Sequence, residues 1–91
     1  MNLKEQADHI RAALGSGVVA LASTDAQRVT LLVALTPDLV GRLSAGALIR
    51  AMAPHVDGKG GGRPDMAQAG GRRPEGVPLA FEELERQLQI A

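Results

Sequence analysis

Ninety-one residues with no cysteine and a single aromatic side chain, Phe81, allow one small domain with an aliphatic core, and they exclude disulfides, thiolate catalysis and cysteine-ligated zinc together. Ten basic and ten acidic residues leave a formal net charge of zero, which argues against a strong general binder of nucleic acid. The start of the chain lacks the basic, apolar and small-residue order of a secretory signal, and no apolar run approaches the ~20 residues that cross a bilayer, so the sequence predicts a soluble, cytoplasmic domain with no membrane partner.

Leu3, Ala7, Ile10 and Leu14 recur at spacings of four, three and four, which predicts a helix with one apolar stripe, ended at Gly15. The same spacing fits a coiled-coil seam. Residues 1–14 are therefore set apart as a helix that either packs on the domain or ends a longer helical segment, and residues 15–91 form the domain proper. Val18–Ser23 and Arg28–Leu35 predict two strands, joined through Thr24-Asp25-Ala26-Gln27 into a β-hairpin. Both are apolar at successive positions, so their sheet is expected to be covered on two faces, at least in part. Thr36-Pro37-Asp38 ends the second strand. Ser44 is placed to N-cap a helix from Ala45 to Ala53, with Ala45, Leu48, Ile49 and Met52 inward and Pro54 as its stop. The stretch from Asp57 to Gly71 holds six glycines and a proline and reads as a glycine-rich loop, with a short third strand from Met66 to Ala69 inside it. Val77-Pro78 introduces the last helix, with Phe81, Leu84 and Leu88 inward. No internal repeat is present, and the pattern predicts an α+β domain, a hairpin-based sheet packed with helices.

The charge is neutral in sum but divided along the chain. From Gly58 to Arg73, Lys59, Arg63, Arg72 and Arg73 stand against Asp65, four minus one or +3; from Pro74 onward, Glu75, Glu82, Glu83 and Glu85 stand against Arg86, or −3. Within the basic stretch, glycines let backbone N–H groups converge on an anion and let a ligand approach without meeting Cβ atoms. The run Gly58-Lys59-Gly60-Gly61-Gly62-Arg63 thus reads as a site for phosphate or nucleic-acid backbone, against the plainer readings of a flexible linker or tight turns. It is not a P-loop, because Lys59 is followed by three glycines, Arg63 and Pro64 instead of a Ser or Thr opening a helix. Gly15, Gly17 and Ala20 match the letters of a dinucleotide fingerprint, but they lie between a helix and a strand, the reverse of the order it needs. His9 and His55 are the only histidines and have no partner at ligand spacing; Asp57 and Asp65 offer too few carboxylates for magnesium; Ser16 and Ser44 lack a candidate base. No catalytic residue, metal or cofactor is expected in this chain.

The ordered run from Gly58 to Gly71, through Arg63-Pro64-Asp65-Met66-Ala67-Gln68, together with Ser44-Ala45-Gly46 opening the helix before it, resembles the signature of the DHHA1 domain at the C-terminus of alanine–tRNA ligases. The resemblance extends from about Gly17 to Leu88. DHH-family phosphoesterases carry a similar domain, usually with histidine directly after three glycines; Arg63 stands there in this chain, as in the ligase branch. Asp57 departs from the pattern, which usually has another glycine at that place. The resemblance implies a non-catalytic tRNA-binding domain that grips the outer corner of tRNA, where the D and T loops meet, and so assists aminoacylation and editing by the parent enzyme. Its tRNA is alanine-specific, and ATP, magnesium and zinc belong to other domains of that parent. The implied contacts are Gly58, Lys59, Gly60, Gly61, Gly62, Arg63, Gln68, Arg72 and Arg73, with flat guanidinium groups doing the stacking that aromatic rings do elsewhere. Arg63, against the glycines, is expected to matter more than Arg72, beyond them. Two alternatives stand beside this one: an interaction domain in which the Leu3–Leu14 stripe pairs chains, and an accessory nucleic-acid-binding domain of a phosphoesterase, which Arg63 disfavours.

Overall fold

Every residue of the strand Val29–Leu35 (β2) is buried except the half-buried Thr30. A run with no solvent face belongs in the middle of a sheet covered on both sides. The computed structural model, which describes residues 2–90 and Ile90 by its backbone only, places it there. The sheet has four antiparallel strands in the order β1-β2-β4-β3, where β1 is Val18–Thr24, β3 is Lys59–Gly62 and β4 is Met66–Gly71. β1 and β2 form the expected hairpin, with Val18 opposite Leu35 and Thr24 opposite Val29. The Asp25 carboxylate closes the turn by accepting the backbone N–H groups of Gln27 at 3.0 Å and Arg28 at 2.8 Å. Those bonds, that of Gln27 first, hold the Asp25 carboxyl below its ordinary range.

Alternation along β2 sorts its side chains into two cores. Val29, Leu31, Val33 and Leu35 pack against Ala45, Leu48, Ile49 and Met52 of α2 (Ala45–Met52) and Ala80 and Leu84 of α3 (Val77–Ile90). Leu32 and Ala34 point the other way and, with Val19 and Met66, enclose Ala7 of α1 (Leu3–Leu14). The domain is thus three layers: α1, the sheet, then α2 with α3. Helix ends follow local chemistry. The Asn2 side chain accepts the Glu5 N–H at 2.8 Å, and Ser44 Oγ accepts that of Ala47 at 3.3 Å. α2 stops at Met52, one residue before the expected end, and the chain continues as a 3-10 turn over Ala53–Val56.

The α1 stripe packs only by its first half. Ala7 is buried and Leu3 half-buried, while Ile10 and Leu14 are 39% and 46% exposed. A polar anchor holds the far end instead: Arg11 Nη1 donates to the carbonyls of Leu35 at 3.1 Å and Asp65 at 3.4 Å, and Nη2 pairs with Asp8 at 2.6 Å.

The larger departure concerns the glycines. Met66–Ala69, expected as a short strand, opens β4, but the glycines before it, expected to be loop, form β3, so the segment is a second hairpin with β3 at the sheet edge and β4 between β3 and β2. Strand propensity is weakest for glycine, so the local sequence argued for a loop; pairing with β4 overrides it. Close approach supplies the reason for glycine here: a Cβ at Gly58 would collide with the Gly70 carbonyl oxygen, and one at Gly60 with that of Gln68. Gly46 of α2 serves the same contact from above, since a Cβ there would stand 3.0 Å from the Gly62 carbonyl oxygen.

Candidate nucleic-acid interface

The β3–β4 register sets Lys59 opposite Gly70, Gly60 opposite Ala69, Gly61 opposite Gln68 and Gly62 opposite Ala67. The Arg63-Pro64-Asp65 turn is pinned to its surroundings: Leu35 N–H donates to the Asp65 carbonyl at 2.8 Å, and Ala45 N–H to that of Pro64 at 2.9 Å. Gln68 pairs with Leu32, which packs under α1, so Gln68 lies on the α1 side of the sheet. α1 covers only part of that side. Beyond its edge the floor is made by glycine backbone with Gln68 and Thr30.

The fold distributes the residues named from the sequence between two places. Gly58, Lys59 and Arg72 line an open cleft with Arg28, Thr30, Asp57, Gly70 and Gly71. Gly61, Gly62, Arg63 and Gln68 line a shallower depression at the other end of β3, beside Lys4 of α1. Gly60 lies in register between them, and Arg73 lines neither. Arg63 is paired with Asp65 at 3.4 Å and Arg73 with Glu75 at 3.4 Å, in exposed contacts of small energy that a phosphate would compete for. Among the described residues Lys4, Arg28, Lys59 and Arg72 make no ion pair. Arg63 thus starts from an exposed ion pair that Arg72 lacks. The N–H groups of Arg72 and Arg73 both donate to the Val56 carbonyl at 3.0 Å, which folds the chain back and sets Arg72 beside Gly58.

Lys4, Arg28 and Thr30 escaped the reading by sequence, because each reaches the site from a segment far away along the chain. The glycines also divide by role. Added Cβ atoms at Gly58, Gly60, Gly62 and Gly71 would strike backbone, whereas one at Gly61 would meet only the Arg50 guanidinium at 3.8 Å, and one at Gly70 nothing within 4 Å. Asp57 is the only described non-glycine residue with positive φ, at 54°, in the left-handed region that Asp tolerates. This accounts for a position where the family pattern carries glycine.

The remaining polar clusters are structural in character. His55 Nε2 lies 3.3 Å from Glu83 Oε1, and Glu83 also accepts from Arg86 at 2.6 Å and Gln87 at 2.8 Å, which ties the 3-10 turn to α3. The Gln87 and His55 contacts hold the Glu83 carboxyl below its ordinary range. Ser16 is engaged with Asp38 at 2.5 Å, at the corner where Thr36 also bonds Asp38. No group of three or more His, Cys, Asp or Glu that could hold a metal, and no helix long and apolar enough to cross a membrane, occurs among the described residues.

Known proteins share both the sequence and the fold. Residues 2–89 match the DHHA1 domain family. The chain is 52% identical over 83 residues to the alanine–tRNA ligase of Roseiflexus sp. (strain RS-1) and 46% identical over 82 residues to that of Pseudoalteromonas translucida (strain TAC 125). Each alignment takes in 90% of this chain and 9% of the relative, so the chain spans less than a tenth of the length of those enzymes. The crystal structure of the C-Ala domain from Aquifex aeolicus alanyl-tRNA synthetase superposes with a TM-score of 0.87 at 30% identity, covering 92% of this chain and 76% of that one. The chain belongs to the DHHA1 domain family. Within it, the α+β fold is that of the C-terminal, C-Ala domain of alanine–tRNA ligases.

Proposed function

We propose that this chain is the non-catalytic, tRNA-gripping part of an alanine–tRNA ligase, and that it holds the outer corner of an alanine-specific tRNA while other domains, with their ATP, magnesium and zinc, do the chemistry in the cytoplasm. One observation carries the reading: in a chain of zero net charge, four of the six Lys and Arg side chains that make no ion pair among the described residues, Lys4, Arg28, Lys59 and Arg72, border the two glycine-floored depressions at the ends of β3. A bare backbone floor with cations at its rim suits a phosphate chain, and the tRNA corner offers phosphates and unstacked bases to be recognised by shape. With at most about four phosphates in reach, the slope of log affinity against log salt is expected between about −1 and −3, and the affinity about micromolar or weaker. A weak grip serves a tethered domain, because linkage turns it into an intramolecular contact at high effective concentration.

Amide shifts of the labelled chain on titration with tRNA, at two salt concentrations, test this reading. Shifts confined to the start of α1, the β1–β2 turn with Thr30, and residues 57–73 are expected, and they should shrink as salt rises. Shifts elsewhere, or indifference to salt, would refute it. A second reading, self-association through α1, has the exposed Ile10 and Leu14 in its favour. Light scattering over a concentration series decides it: a dimer lost in Ile10→Glu would place the interface on that face.

A further inference from the structure

The register places Thr30, Gly70 and Lys59 in one row across β2, β4 and β3. Residues in register share a face of the sheet, and neighbouring strands lie ~4.8 Å apart, so Thr30 and Lys59 stand about 10 Å from each other with Gly70 between them. Nothing lies within 4 Å of where a Gly70 Cβ would project, so the middle of this row is open. Around it is a cleft of about 700 Å³, whose rim carries Arg28 from the β1–β2 turn and Arg72 from the segment after β4. Three cations from three separate segments line it with one acid, Asp57, three minus one or +2, while Asp25 of the β1–β2 turn also attracts Arg28 from outside the lining.

Gly70 is not explained by the fold. It does not have positive φ, and a side chain there would meet no neighbour, unlike one at Gly58, Gly60 or Gly71. Glycine weakens a strand and in a strand often marks the close approach of a ligand. We propose that the gap over Gly70 is a phosphate seat, walled by Thr30 and Lys59 and closed by Arg28 and Arg72, which in RNA takes one backbone phosphodiester. The proposal rests on the RNA-binding reading and adds to it a defined anion position with Arg28 as a contact. Arginine presents paired N–H donors to phosphate oxygens, the Thr30 hydroxyl can donate a further bond, and the net positive rim offsets the phosphate charge.

Gly70→Val, Arg28→Gln and Asp57→Asn test the seat, with Arg42→Gln, remote from the cleft, as control. Each is titrated with inorganic phosphate against chloride at matched ionic strength, following amide shifts, and with tRNA at two salt concentrations. Phosphate is expected to move the amides of Gly58, Lys59, Gly70 and Arg72, and Gly70→Val, which fills the gap, should abolish those shifts. Its salt slope for tRNA should shrink by about 0.7–0.9, the loss of one phosphate. Arg28→Gln should weaken tRNA about tenfold, as for one charge-assisted contact. Asp57→Asn, which removes the opposing charge, should strengthen it about threefold. If Lys59→Ala weakens tRNA while Gly70→Val and Arg28→Gln bind as the parent does, the RNA-binding reading stands and the seat is wrong. If no tRNA binds but phosphate shifts appear and vanish in Gly70→Val, the seat stands and the RNA-binding reading fails. Phosphate shifts that are absent, or that survive Gly70→Val, overturn the seat. Should Gly70→Val fail to fold, Arg28→Gln, altered in an exposed turn, takes its place: phosphate shifts weakened there support the seat, and shifts of unchanged size overturn it.

Discussion

β2 and β3 are strands of one sheet made by opposite means. β2 is nearly all side chain: six of its seven residues are buried, and each face of the strand feeds a different core. β3 is nearly all backbone, Lys59 followed by three glycines, with only β4 as a strand partner and α2 pressed close against it. The first is a strand because water is excluded from its residues, and the second because its neighbour's hydrogen bonds and the lack of Cβ atoms allow it. Stability therefore concentrates at the centre of the sheet, while the edge contributes little burial.

The sharpest way to break this contrast is at Leu31, fully buried between β2's neighbours and the two helices. Leu31→Ala should cost about 2–5 kcal/mol. Against a total on the order of 5–10 kcal/mol for a domain of this size, urea denaturation should show the midpoint falling by about a fifth or more. A midpoint change below a tenth would mean that β2 is not the centre of stability. Gly60→Ala should cost less, about 1–3 kcal/mol of overpacking, because its Cβ would collide with the Gln68 carbonyl oxygen. Hydrogen exchange should show the loss confined to β3 and its pairing with β4. Gly70→Ala, in the same run, should act in the opposite sense and raise stability by about 0.5–1 kcal/mol, since it relieves the entropy of glycine and meets nothing. A thermal midpoint that falls in both variants would erase the division of the glycines by role.

The smallest effect concerns pH. The Ser16 and Thr36 hydroxyls hold the Asp38 carboxyl below its ordinary range. A depressed folded pKa means that the contribution is complete above the unfolded value, near 3.9, and is lost as pH falls through the lower folded value. Asp38→Asn should melt slightly below the parent at pH 7, and the gap should narrow as pH is lowered toward about 2. An equal gap at both pH values would show that the effect is steric, with no part in proton linkage.

Much of the fold was legible in the residues because it rests on side-chain pattern. The α1 boundaries, the β1–β2 hairpin with its Asp25 turn, the Ser44 cap and the inward face of α2 all follow from periodicity and local hydrogen-bonding chemistry. The half-exposed stripe of α1 was not legible, because a heptad-like spacing states which residues are apolar and not how far the sheet beneath them extends. Part of the candidate site was legible too. Lys59, Arg63 and Gln68 announce themselves beside the glycines, but their separation into two ends of a strand does not.

By itself the sequence determined that this is a small aliphatic α+β domain, which segments form its helices and its central hairpin, and that a glycine-rich segment of net charge +3 runs from Gly58 to Arg73. Tertiary structure alone decided that the glycines form a strand, since a residue without a side chain leaves no period to read. It alone brought Arg28 and Thr30 across the sheet to Lys59 and Arg72, because register is a relation among three strands. And it alone showed that Gly70 stands over empty space while Gly58 and Gly60 stand against backbone, a difference between identical residues that only their neighbours create.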